Sequence, residues 1–285
     1  MAKSNLLVWL CLAALFQPAK LRAQEYADSI FITETLAEAR LAGNVNPLFF
    51  ARKFLGKPYV AYTLEVNDEE RLVVNTRQVD CTTLVENVTA LVLCASYSLY
   101  DYADFKDMLL ALRYRHGVLD GYESRLHYFS DWIDDNQTMG FVEEIQVPDP
   151  PFTDVQKLDI HYMSSHPNAY KALRTDPSLV DKVSEIEHAL TGRTYRFIPK
   201  SIVGDTMLMR RAVRDGDIIA ITSNKSGLDI AHLGLSVWRQ DGLHLLNASQ
   251  IHKEVVEEPM TLYQYLQKHP SHTGIRVIRI NGVGE

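Results

Sequence analysis

From Leu84 the apolar residues recur at positions 84, 85, 88, 91 and 92, the spacing of one helix face, with Asp80 or Thr83 placed to cap the start. The pattern predicts a helix whose first turn carries Cys81. Upstream, a helix opened by Asp28 or Ser29 runs through Ile32, Leu36 and Ala39 to Gly43, and a second runs from Pro47 through Phe50 and Phe54 to Gly56. Lys57-Pro58-Tyr59 and an extended stretch, Leu72 to Asn75, lead into the Cys81 helix. Beyond it lies a helical and irregular block. Tyr102, Phe105, Leu109 and Leu112 mark a helix ending at Gly117, and Asp176-Pro177 caps another with Val180, Val183, Ile186 and Leu190. After Gly192 short apolar runs read as strands: Tyr195 to Ile198, Asp217 to Ile221, Ile230 to Trp238, Leu243 to Ala248 and Ile275 to Ile280. Turns fall at Ser223 to Gly227 and at Asp241-Gly242, and the whole is an α+β arrangement with an antiparallel sheet.

The N-terminus is read separately. Lys3 precedes the apolar run Leu6 to Phe16, then Pro18 and a cleavage site after Leu21-Arg22-Ala23, the layout of a secretory signal peptide over residues 1–23. The run is too short to span a bilayer, and no other stretch reads as a transmembrane segment. Trp9 and Leu10 are bulky where a lipoprotein signal needs small residues, so a lipid anchor on Cys11 is not expected. Removing residues 1–23 takes away Lys3, Lys20 and Arg22 and no acid, so the formal charge moves from -7 to -10. That surface repels polyphosphates, and nucleic acid is excluded as a partner. About 260 residues remain, enough for one large domain or two small ones.

Cys81 and Cys94 then stand alone in an exported chain. On one helix, 13 residues apart, they are separated by about 20 Å and cannot pair. Cys94 reads as core. For Cys81 two readings stand side by side, a small buried residue or a nucleophile whose thiolate the helix N-terminus favours.

A thiolate needs a base and a group that fixes the base. Along Ala231 to Trp238, His232, Gly234, Ser236 and Trp238 share one strand face. With Asp241-Gly242 as the turn, Asn247 falls opposite Ser236 on the His232 face, whereas His244 and His252 fall on the other. This register leaves Asn247 about four residues, roughly 13 Å, short of lying opposite His232. Contact then requires a bulge, strong twist or a wider turn. No histidine spacing, His-Glu-x-x-His or Cys-x-x-Cys marks a metal site, and no cofactor is indicated.

Leu55-Gly56-Lys57-Pro58-Tyr59, Asp80-Cys81, His232-Leu233-Gly234-Leu235 and Leu246-Asn247-Ala248-Ser249 resemble, in order, the motifs of the NlpC/P60 cysteine peptidases. More narrowly, Val79 to Glu86, Arg125 to Trp132, Phe197 to Lys200 and Gly227 to Gly234 look like the DUF1460 branch, described as N-acetylmuramoyl-L-alanine amidase-like. The resemblance implies a single papain-like domain over residues 24–285, its nucleophile helix packed on the sheet, with a large, mostly helical insertion at about 97–192. It implies Cys81 as nucleophile, His232 as base and Asn247 as the polar third member, where many relatives carry histidine. It places Tyr59 near the cleft, although a core tyrosine reads equally well, and lets Asp80 contact substrate or simply cap the helix. His127, Tyr128 and Trp132 are candidates for a sugar-stacking wall or for core. The expected activity is hydrolysis of the N-acetylmuramoyl-L-alanine amide of peptidoglycan fragments in the periplasm or cell envelope. An endopeptidase of the stem peptide and a muropeptide-binding protein without catalysis are the alternatives.

Overall fold

The computed structural model describes residues 23–283, so the signal-peptide and Cys11 expectations lie outside the described residues except at Ala23. A helix, α1, covers 23–42 and closes at Gly43, whose φ of 58° few side chains tolerate. It does not begin at Asp28: that carboxylate is buried and accepts from the Thr76 N–H at 3.0 Å and the Thr76 hydroxyl at 2.7 Å, pinning the strand-like approach to the Cys81 helix. After α1 come α2 (Pro47–Arg52) and α3 (Cys81–Ser96). The next block holds α4 (Tyr102–Arg113), α5 (Phe129–Thr138), β1 (Val142–Ile145), β2 (Asp154–Lys157), α6 (Tyr162–Ser165), α7 (Lys171–Thr175) and α8 (Ser178–Leu190). The last part holds β3 (Thr194–Pro199), α9 (Thr206–Ala212), β4 (Ile218–Ser223), β5 (Ile230–Arg239), β6 (Gly242–Ser249), β7 (Glu254–Glu257), α10 (Leu262–Gln267) and β8 (His272–Ile280).

The strands form one antiparallel sheet in the order β2-β3-β8-β4-β5-β6-β7. Strand β1 pairs with β8 beyond the short stretch that β3 occupies, matching Ile145 with Val277 and Val142 with Ile280. The block between α3 and β3 is therefore not helical throughout. It supplies β1 and β2, which the alternation rule misses because Val142-Glu143-Glu144-Ile145 and Asp154-Val155-Gln156-Lys157 are short and half charged. A buried guanidinium holds the seam: Arg276 of β8 meets Glu144 of β1 at 2.5 Å and the Ser130 hydroxyl of α5 at 2.6 Å.

The sheet has two apolar faces. On one, Leu233, Leu235 and Val237 of β5 and Leu246 and Ala248 of β6 pack with Leu84, Val88 and Leu91 of α3. Each leucine or valine among them, fully buried, contributes about 1.5–3 kcal/mol. On the other, Ile219, Ile221, Leu243 and Leu245 pack with Met209 of α9 and Leu262 and Leu266 of α10. A third cluster, with Tyr128, Met163, Leu173 and Leu190, lies mostly in the block between α3 and β3.

Helix α3 is buried on all sides from Thr83 to Ala95, not on one stripe, because α2 and α4 cover the faces that the sheet leaves free. Its buried charged and amide side chains find partners on neighbouring elements, although the Asn87 side-chain oxygen accepts no hydrogen bond among the described residues. Glu86 pairs with Arg113 of α4 at 2.8 Å, and the Asn87 carboxamide donates to the Asn75 carbonyl at 3.3 Å.

Candidate active site

Cys81 is the first residue of α3. Asp80 caps the helix, accepting from the Thr83 N–H at 2.8 Å, while the Asp80 N–H donates to the Thr83 hydroxyl oxygen at 2.9 Å. This reciprocal cap fixes the turn on which the thiol sits. Just before it, Val79 pairs in parallel with Tyr59, and the Tyr59 N–H donates to the Lys253 carbonyl at 2.8 Å. The tyrosine is thereby held beside the cysteine.

His232 lies near the start of β5, where Ile221 of β4 faces His232 but Thr222 faces Ile230. One extra residue on β5 is a bulge, a device that re-aims neighbouring side chains. It lets Ile230 and Leu233 both join the α3 face while His232 stays on the face of Asn247.

The β5–β6 turn differs from the Asp241-Gly242 expectation. Arg239 pairs with Gly242, so Gln240-Asp241 form the turn and Gly242 belongs to β6. The register of Leu235 with Leu246 brings Asn247 level with Gly234 instead of Ser236. From there the side chain reaches His232 diagonally, and Asn247 Oδ1 lies 3.0 Å from His232 Nε2. Gly234 is required at the crossing: a Cβ there would lie 2.7 Å from the Leu246 carbonyl oxygen.

Cys81 and His232 line one cleft of about 440 Å³, with Tyr59 and Asp80 beside them and Tyr122, Arg125, His127 and Tyr128 contributed by the block between α3 and β3. Cys81 is half-buried. Desolvation, then the Asp80 carboxylate, pushes its thiol up to about 12, while the Leu233 backbone N–H and Thr82 pull the other way. Burial thus works against the helix terminus, which favours the thiolate. Burial likewise lowers the His232 pKa, partly offset by the Asn247 hydrogen bond and the Glu258 carboxylate. A neutral thiol and a neutral imidazole result at neutral pH. Burial, followed by the neighbouring Cys81, which ionises in the same alkaline range, and the Asp80 carboxylate, also raises the Tyr59 phenol to about 12, so at neutral pH it stays a hydrogen-bond donor.

The expected aromatic wall is only partly present. His127 faces the cleft edge, its Nε2–H donating to the Tyr122 carbonyl at 2.8 Å. Tyr128 reaches the cleft too, but its hydroxyl is committed to Glu187 at 2.6 Å. Trp132 is fully buried, stacked on Phe129 at 4.8 Å between ring centroids, and is core instead of substrate wall. Three residues escape the sequence reading. Arg125, ion-paired to Glu65, is one; Tyr265, whose ring stacks 6.3 Å from the His232 ring, is another; Glu258, behind Asn247, is the third. Glu258 shares the Asn247 face through the β6–β7 register, which no sequence pattern announced. His252, placed on the opposite face by sequence parity, reaches Glu258 from the loop between β6 and β7 at 3.3 Å.

Cys94 lies on the same helix, fully buried, and both thiols are free. Among the described residues no group of three or more His, Cys, Asp or Glu is arranged to hold a metal ion, and no helix is long and apolar enough to cross a membrane.

A family model described as N-acetylmuramoyl-L-alanine amidase-like (AmiA-like) matches residues 49–275, which include every residue of this site. The chain belongs to that family. A crystal structure of an N-acetylmuramoyl-L-alanine amidase from Bacteroides uniformis ATCC 8492 is similar at 41% identity with a TM-score of 0.78, over 83% of this chain and 99% of that one. A protein from Bacteroides fragilis, described as a candidate xylanase, is similar at 41% identity with a TM-score of 0.76, over 81% of this chain and 99% of that one. A Legionella pneumophila protein described as DUF1460 shares the fold at 19% identity, with a TM-score of 0.69 over 91% of this chain and 96% of that one. No curated protein matches the chain.

Proposed function

We propose that this member of the amidase-like family is a cysteine amidase with a papain-like NlpC/P60 core, exported to the periplasm or cell envelope. Its reaction is hydrolysis of the amide between N-acetylmuramic acid and L-alanine in soluble muropeptides. The observation that carries the reading is the His232–Asn247 hydrogen bond of 3.0 Å at the wall of the cleft that holds Cys81 on the first turn of α3.

In this mechanism His232 takes the Cys81 proton as the sulfur attacks the amide carbonyl. The Cys81 backbone N–H, on a helical turn with no intrahelical acceptor, and the Tyr59 hydroxyl are donors for the oxyanion. The C–N bond breaks, the amine departs with the proton from His232, and a thioester remains. Water, deprotonated by His232, then attacks the thioester, releasing the acid and the thiol. Asn247 holds the imidazole in place throughout.

The family and the similarity to the Bacteroides uniformis amidase support this reading over the xylanase name. A glycosidase needs two free carboxyl groups flanking the bond. The carboxylates lining the cleft are engaged elsewhere: Asp80 caps α3, Glu65 pairs with Arg125, Glu86 with Arg113, and Asp229 accepts from the Ser130 N–H. The cleft of about 440 Å³, walled in part by the inserted block, suits a defined small ligand.

The test offers a disaccharide-peptide and the same peptide without sugar and identifies products by mass. Release of free disaccharide from the first, with the second untouched, is expected. Cutting of the sugar-free peptide between D-glutamate and the next residue would overturn the amidase in favour of the endopeptidase.

A further inference from the structure

The polar chain at the site does not end at Asn247. The Asn247 Nδ2–H donates to Glu258 Oε1 at 3.2 Å, and Glu258 Oε2 lies 3.3 Å from His252 Nε2. The Glu258 side chain is 2% exposed, so its charge is held inside the protein by these contacts. Its backbone is fixed on both sides. The Glu258 N–H donates to the Leu245 carbonyl at 2.8 Å, extending the β6–β7 ladder, and its carbonyl accepts from His244 Nδ1 at 2.9 Å. A buried carboxylate in this frame accepts hydrogen bonds and cannot donate them.

That restriction has a consequence for the imidazole. An asparagine carboxamide has two ends of opposite character, and rotating it by half a turn exchanges donor for acceptor. With a carboxylate on one side, only the NH₂ end can face Glu258. The oxygen must then face His232, where it accepts from Nε2–H. The neutral ring consequently carries its proton on Nε2, and Nδ1 is left with the lone pair that a base requires. Asn247 alone does not dictate this tautomer, because the reversed carboxamide would place the proton on Nδ1.

We propose that Glu258 is a positioning residue of this site: it fixes the orientation of the Asn247 carboxamide and thereby the tautomer of His232. The proposal rests on the cysteine amidase reading. It adds that the relay has four members, His232, Asn247, Glu258 and His252, of which only the first meets the reacting atoms. His252, 38% exposed, is the end open to solvent.

The test compares Glu258→Gln with the double variant Glu258→Gln/Asn247→Asp. The glutamine keeps the shape but can donate, so Asn247 is free to reverse; kcat is expected to fall by about 10- to 100-fold with KM near the wild-type value. Aspartate at 247 only accepts, which restores the Nε2–H tautomer whatever stands at 258, and the double variant recovers most of kcat. The acid limb of the kcat profile moves to lower pH in Glu258→Gln, because a carboxylate that favours imidazolium has gone. Alkylation of Cys81 by iodoacetamide at fixed pH gives a readout without substrate and slows in the single variant.

Wild-type kcat, labelling and pH profile in Glu258→Gln overturn the proposal. So does a loss of activity that Asn247→Asp fails to restore and that leaves the acid limb in place, since that assigns Glu258 to folding alone. The labelling arm separates this from the activity itself. If the wild-type protein leaves muropeptides intact while Glu258→Gln still slows labelling, the amidase reading fails and the positioning role stands. If muropeptides are cut equally by both proteins, the reverse holds.

Discussion

Asn247 Oδ1 lies 3.0 Å from His232 Nε2, and the two residues are 15 apart in the chain, delivered from adjacent strands by a tight turn. The orientation of the base is thus built by β5–β6 pairing, whereas Cys81 is delivered independently by the cap of α3. The two halves of the site can be disabled separately. Cys81→Ala and His232→Ala are expected to reduce hydrolysis to background with melting temperatures near wild type, because neither residue belongs to the fully buried apolar clusters. Asn247→Ala should retain more, losing about one to two orders of magnitude in kcat, since it orients without moving protons. Substantial turnover by a clean Cys81→Ala preparation would sink the nucleophile assignment.

How much of this could be read in advance differs between the halves. The Cys81 helix was legible because capping and apolar spacing are local properties, and its Asp80 and Thr83 behave as a capping box should. The long strands β4, β5, β6 and β8 were legible for the same reason. Strand β7 (Glu254-Val255-Val256-Glu257) was missed because four residues with charged ends carry no alternation, and with it went the position of Glu258. The His232–Asn247 contact was half legible: parity put both on one face, but the turn began one residue early, at Gln240, and that moved the pairing by two. The burial of Trp132 depends on how α5 packs against α4 and β1, a tertiary relationship without a local signature.

The charge state of the pair gives a second prediction. The Cys81 thiol is raised to about 12 and the His232 pKa is lowered, both chiefly by desolvation. Thiolate is therefore expected to grow in as pH rises, both groups being neutral at neutral pH. Iodoacetamide labelling of Cys81, followed by peptide mapping, should climb steadily into the alkaline range. Cys94, fully buried and also raised to about 12, should lag behind it throughout. A labelling rate already flat below neutral pH would show instead that the thiolate–imidazolium pair is preformed.

Acid should destabilise the fold through two other histidines. Burial, with Arg125 next, lowers His127 to about 3, and burial, with His269, His232 and Lys200, lowers His272 to about 4. Both folded values lie below the unfolded value of about 6.5. The unfolded chain then binds more protons as pH falls from there, so stability is complete above that value and is lost progressively toward pH 3–4. Urea midpoints across this range check the slope. His127→Gln keeps a donor for the Tyr122 carbonyl and removes one titration, so its midpoint should fall less on acidification. Parallel slopes for the two proteins would show that His127 does not carry this linkage.

The last prediction concerns Gly234, which touches neither Cys81 nor substrate. It sits where β5 passes closest to β6: an added Cβ would meet Leu245 Cγ and the Leu246 carbonyl oxygen, each at 2.7 Å. The leucine side chain can yield, but the carbonyl belongs to the strand backbone one residue before Asn247. Gly234→Ala must therefore push β6 away from β5 at the point where the His232–Asn247 hydrogen bond spans them. Overpacking of this kind costs about 1–3 kcal/mol, and a hydrogen bond stretched beyond roughly 3.5 Å contributes little. The variant should melt at lower temperature and lose kcat to about the level of Asn247→Ala, while iodoacetamide still reaches Cys81. Combining Gly234→Ala with Asn247→Ala should then reduce kcat little further, because both act on one contact. Independent, multiplying losses would mean that Gly234 matters for folding alone and that the strand crossing does not set the orientation of the base.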